Sequence, residues 1–108
     1  MHKAIINNVY LAPKAEGRDG NCRRGTVYMS LSGFAAKFGD PHEADYSEEG
    51  IDGYGKVTAI WHIHTPRGAV HVRDYWWNPP DELSIGASNA KSTLWLRAWL
   101  RKHGVKCE

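Results

Sequence analysis

The 108-residue chain carries 14 Lys and Arg against 12 Asp and Glu, a formal net charge of +2 with its 6 His neutral. That charge is too small to imply nucleic-acid or membrane binding by itself, and 42% hydrophobic with 24% charged residues excludes a disordered chain. The length suits one domain over residues 1–108, burying roughly 65% of its unfolded surface.

Met1–Pro13, MHKAIINNVYLAP, contains no apolar run of signal-peptide type, and no run approaches a membrane span. Residues 3–11 alternate and are expected to form a first strand ending at Pro13. Residues 12–25 follow as a basic loop, with Gly17, Gly20 and Gly25 among Lys14, Arg18, Arg23 and Arg24. Thr26–Met29 is expected as a short strand. Ser30 or Ser32 then caps a helix over 31–38, where Leu31, Phe34, Ala35 and Phe38 recur at helical spacing. Gly39 suits its C-terminus, and Pro41 prevents it from restarting.

Residues 40–55 read as an acidic loop. Asp40, Glu43, Asp45, Glu48, Glu49 and Asp52 make half of the chain's carboxylates, with no Lys or Arg between them. A hairpin over Lys56–Trp77, KVTAIWHIHTPRGAVHVRDYWW, is the strongest local signal: period-two alternation on both sides of Thr65-Pro66-Arg67-Gly68. Pro66 presets the second turn position and Gly68 closes the turn. A four-residue turn sets His64 opposite Ala69, His62 opposite His71 and Ile60 opposite Arg73. Val57, Ala59, Trp61, Ile63, Val70, Val72 and Trp76 then form the core face. Thr58, His62, His64, His71 and Arg73 form the other.

Asn78-Pro79-Pro80 stops the hairpin, and Leu83–Ile85 is a further short strand. Ser88 is placed to cap a final helix from about Asn89 to His103, with Gly104 beyond it. Trp95, Leu96, Trp99 and Leu100 cluster on one side of that helix and should face the sheet. Lys91, Arg97, Arg101, Lys102 and Lys106 make it basic, in part complementing the helix dipole. The expected architecture is α+β: a small antiparallel β-sheet with a central hairpin, packed against a C-terminal helix and a short N-terminal helix.

Chemistry-bearing patterns are few. His62, His64 and His71 share a strand face within chelating reach of Zn²⁺ or Cu²⁺, but the hairpin supplies no carboxylate to orient their rings. Glu or Asp from the acidic loop could take that role. Asp74 falls on the apolar parity, where an Arg or a Trp indole N–H would be its partner. No nucleophile elbow, phosphate loop or dinucleotide fingerprint occurs, so no enzyme and no cofactor are expected. Cys22 and Cys107 form no motif, which suits a reduced, cytoplasmic setting.

Two binding patterns remain. Of Tyr75 and Trp77, at least one should be exposed beside His71 and Arg73, in the composition of an interface hot spot. With Asp45, Glu48 and Glu49 of the acidic loop and His62 and His64, these residues form the expected partner-binding surface. The alternative is nucleic-acid binding through Arg97, Arg101 and Lys102 of the last helix, with its tryptophans as stacking platforms.

Three segments in this order carry a resemblance: Phe38-Gly39-Asp40-Pro41, Gly55-Lys56-Val57-Thr58-Ala59-Ile60-Trp61, and Val72-Arg73-Asp74-Tyr75-Trp76 followed by Ile85-Gly86. Over roughly residues 26–100 the chain resembles small phage and prophage proteins, some of which act as anti-CRISPR or other anti-defence inhibitors. The resemblance implies a non-enzymatic inhibitor in the host cytoplasm that binds a host protein or nucleoprotein defence complex. It implies no particular functional residue.

Overall fold

The computed structural model describes residues 10–11, 22–87 and 89–108. The expected strand before Tyr10, the basic loop over 12–21 and the Ser88 cap lie outside them. The elements are β1 (Tyr10–Leu11), β2 (Cys22–Val27), α1 (Leu31–Phe38), β3 (Glu43–Ala44), β4 (Ala59–Thr65), β5 (Gly68–Arg73), β6 (Leu83–Ala87) and α2 (Ala90–Lys102). All pairings are antiparallel, in the order β1-β4-β5-β6-β2. β3 also pairs with β4. Because β5 occupies one side of β4, β1 and β3 share the other, β1 opposite Ile63 and His64 and β3 opposite Ala59 and Ile60.

The β4–β5 hairpin has the expected register, with His62 opposite His71, His64 opposite Ala69 and Ile60 opposite Arg73. The Thr65 hydroxyl holds the turn, donating to the Gly68 carbonyl at 2.7 Å and accepting from the Arg67 amide at 3.1 Å. Gly68 has φ 127°, a value an L side chain rarely takes.

Trp61 anchors the core face, fully buried. Phe34 meets it edge-on at 4.7 Å, and Phe38 links this pair to Trp99 of α2 at 5.6 Å. The indole N–H of Trp61 donates to the Gly39 carbonyl at 2.9 Å, so the end of α1 satisfies the one polar atom of the central core residue. Ser30 caps α1 by accepting from the Gly33 amide at 3.0 Å. On α2, Leu96, Trp99 and Leu100 are buried and Trp95 packs at the margin, as the helical spacing predicts. Beyond α2 the chain turns at Gly104 and runs back along β2, with Thr26 and Glu108 exchanging backbone hydrogen bonds of 2.7 and 2.8 Å.

Four expectations need correction. β2 starts at Cys22 and ends at Val27, because pairing with β6 recruits Cys22, Arg23 and Gly25 around an irregularity that loop composition conceals. β6 extends to Ala87 for the same reason. Asn89 caps α2, accepting from the Ser92 amide at 2.8 Å. Trp76 does not join the core: β5 ends at Arg73, the alternation ends with it, and Trp76 is 62% exposed.

Candidate functional site

The face expected to present histidines to solvent is buried at its centre. His62 is 1% and His71 3% exposed, and Ile60 and Ser84 are buried with them. β6 gives the His71 ring its place. His71 lies opposite Gly86, and an added Cβ there would stand 2.5 Å from His71 Nε2, so the ring lies against a position that only glycine leaves open. His62 and His71 therefore leave the set of side chains presented for direct contact, and His64 is only half-buried at the end of β4.

The acidic loop supplies the missing carboxylate. Glu43 in β3 accepts from His62 Nε2 at 2.7 Å, and His42 Nδ1 accepts from the His62 backbone amide at 3.1 Å. The His42 and His62 rings meet edge-on at 5.6 Å, with the His71 ring 6.5 Å beyond His62. This cluster ties the start of the acidic loop to β4. No group of three His, Cys, Asp or Glu among the described residues is arranged to hold a metal ion. Glu43 and His42 could not be placed from sequence, since their role depends on a two-residue strand that has no periodicity.

Asp74 also departs from expectation. Among the described residues it pairs with neither Arg nor Trp; it accepts from the backbone amides of Thr58 at 2.8 Å and Ala59 at 2.9 Å, and from the Thr58 hydroxyl. The carboxylate thus joins the end of β5 to the start of β4, where the chain leaves the sheet for an aromatic turn.

In that turn the Arg73 guanidinium lies 5.1 Å from the Tyr75 ring centre. Tyr75 and Trp77 stack at 4.2 Å and 9°, and Trp76 leans against Trp77 at 5.4 Å. Tyr75 is half-buried, whereas Trp77 is 57% exposed. Asn78 fixes the turn, its amide donating to the Tyr75 carbonyl at 2.8 Å and its side chain to Ser84 Oγ at 3.0 Å.

The acidic loop lies beside this turn. The Trp76 amide donates to the Lys56 carbonyl at 2.8 Å, and the Lys56 ammonium stands 5.9 Å from the ring centre of Tyr54, which is 81% exposed. Local hydrogen bonds order the loop: Asp45 to the Thr58 carbonyl, Ile51 to Val57, and Gly55 to Glu49. Asp45, Glu48, Glu49 and Asp52 are all exposed. The Ser47 hydroxyl, then the Ser47 amide, hold the Asp45 carboxyl below its ordinary value. For Asp52, desolvation pulls upward, but backbone amides including those of Tyr54 and Lys56 outweigh it and hold the carboxyl low. Tyr46, also exposed, is raised by desolvation and by the charges of Asp74 and Asp40. Sequence reasoning passed over Tyr46 and Tyr54 and assigned Trp76 to the core; the signal for the two tyrosines was their place within a run of carboxylates.

The basic helix offers less than its composition suggests. Arg97 is half-buried, its stem packed beside Gly25 with Cδ 3.3 Å from where a Cβ would stand. Arg101 donates to the Cys107 carbonyl at 3.1 Å. Lys102 is exposed. The helix tryptophans expected as stacking platforms are turned mainly into the core. No helix among the described residues is long and apolar enough to cross a membrane. No protein-family model matches the chain, and comparison with curated proteins and with solved structures found no match.

Proposed function

We propose that this protein acts by binding a protein or nucleoprotein partner, and that the aromatic turn at Tyr75–Trp77 with the acidic loop over 45–54 is its contact surface. The observation that carries the reading is the exposure of two adjacent indoles, Trp76 at 62% and Trp77 at 57%, on a turn fixed by hydrogen bonds to both neighbouring strands. Large aromatic side chains left in water on a rigid support are the composition of an interface centre, and carboxylates around them give direction and partner choice. In the form suggested by the phage-protein resemblance, the partner is a host defence complex and the effect is occlusion of its working surface. The proposed contact residues are Asp45, Glu48, Glu49, Arg73, Tyr75 and Trp77, now joined by Tyr54 and Trp76.

The test is capture from host lysate, identification of the partner, and titration of the purified pair. A Trp76→Ala/Trp77→Ala variant should weaken binding by about 30-fold or more, the scale of a hot-spot truncation. Asp45→Lys and Glu48→Lys should each weaken it further, chiefly by slowing association. Unchanged affinity in the double tryptophan variant would refute the reading. The nucleic-acid alternative predicts retention on DNA or RNA at low salt, with steep salt dependence and loss on Arg97→Ala/Arg101→Ala. The tethering of Arg101 and the partial burial of Arg97 count against it.

A further inference from the structure

We infer that the aromatic turn takes an arginine-rich segment of the partner, with guanidinium groups lying on the Trp76 and Trp77 rings and the loop carboxylates facing their charge. The inference rests on the proposed binding role and gives the partner its chemistry. Its first support is that this end of the molecule already gathers cations onto rings. Arg73 covers Tyr75 at 5.1 Å and Lys56 stands over Tyr54 at 5.9 Å. Those two cations have aromatic partners within the chain, while the two indoles beside them remain largely exposed.

The second support is charge. Between Asp40 and Asp52 the sequence has six carboxylates and no Lys or Arg. Glu43 is committed to His62, but Asp45, Glu48, Glu49 and Asp52 remain exposed. The backbone brings this loop to the turn, with Glu49 hydrogen-bonded to Gly55 and the next residue, Lys56, hydrogen-bonded to Trp76. The local hydrogen bonds on Asp45 and Asp52 keep those carboxyls ionised well below neutral pH. A phosphate backbone would be repelled here, whereas a cation gains both from the ring faces and from the carboxylates. Arginine fits better than lysine because its planar, weakly hydrated guanidinium stacks on an indole and can still hydrogen-bond a carboxylate in its own plane.

The experiment titrates the full chain with an eight-residue peptide of alternating Arg and Gly. Controls are the same peptide with citrulline, a neutral shape-match, and with lysine in place of arginine. Tryptophan fluorescence and calorimetry read binding at low and at moderate salt, and circular dichroism checks that each variant is folded. The arginine peptide should bind and weaken with salt, the lysine peptide should bind several-fold more weakly, and citrulline should bind at least ten-fold more weakly. Trp76→Ala and Trp77→Ala should each reduce binding about ten-fold, on the scale of cation–π and stacking losses. Glu48→Gln/Glu49→Gln, which removes charge while keeping shape, should reduce it several-fold. Equal affinity for citrulline, or no loss in the tryptophan variants, overturns the inference. If no peptide binds while partner capture still depends on Trp76 and Trp77, the inference falls and the binding role stands. If partner capture is indifferent to both tryptophans, the binding role falls as well.

Discussion

The carboxylate of Asp74 should be worth more to this fold than its position at a strand end suggests. It accepts from the amides of Thr58 and Ala59 and from the Thr58 hydroxyl, closing the junction between the start of β4 and the end of β5. Asp74→Ala removes three hydrogen bonds to a charged acceptor and leaves two backbone donors without it. Such bonds contribute about 1.5–3 kcal/mol each when sheltered. This junction is half-buried and the donors can partly recover through water, so the expected loss is about 3 kcal/mol, well short of the sum. Asp74→Asn keeps a carbonyl oxygen for both amides, and its NH₂ can donate to the Thr58 hydroxyl, so the loss should be about 1 kcal/mol. Urea unfolding followed by tryptophan fluorescence measures both, with the slope of the transition checked for constancy. A loss below about 1 kcal/mol for alanine would refute the bridging role. Equal losses for alanine and asparagine would show that charge, not acceptor geometry, carries the effect. The same variant reports on the site, because the aromatic turn leaves the sheet at this residue.

Gly86→Ala should cost about 1–3 kcal/mol, since the new methyl would stand 2.5 Å from His71 Nε2, and a His71→Ala background should restore part of that stability; independent effects in the double variant would refute the packing argument. Glu43→Ala should destabilise by about 1–3 kcal/mol through the buried His62 nitrogen it leaves without its acceptor, and Glu43→Gln by less; chemical denaturation decides between them. Asp45 and Asp52 have folded values below 3.8, so each adds stability that is whole above 3.8 and is lost as pH falls through the folded value. Carboxyl-carbon NMR should place both midpoints below 3.8, with faster amide exchange in the loop only beneath them; midpoints at or above it would remove the local hydrogen bonds from the account. Tyr46 should ionise above the ordinary 10.0, and an ultraviolet difference titration against Tyr46→Phe isolates that step; a midpoint at or below 10.0 would contradict the combined effect of desolvation and of the Asp74 and Asp40 charges.

Local signals determined a good deal of this molecule. The pairing of His62 with His71 follows from alternation around Pro66 and Gly68, and α1 follows from Ser30, Phe34, Phe38 and Gly39. The side of α2 that carries Leu96, Trp99 and Leu100 follows from spacing alone. These features depend on residues a few positions apart, whose periodicity records which face meets the core. Tertiary structure decided the rest. Where the buried histidine rings lie depended on β6 bringing Gly86 against His71 and on β3 bringing Glu43 to His62. Alternation separates two faces, but it does not say which of them other segments will cover. The fate of Asp74 and Trp76 depended on where β5 stops, which is set by amides at Thr58 and Ala59 some fifteen residues earlier. Long-range pairing of short strands leaves almost no periodic trace in sequence, and at that end of the sheet it gathers the acidic loop and the exposed indoles into one surface.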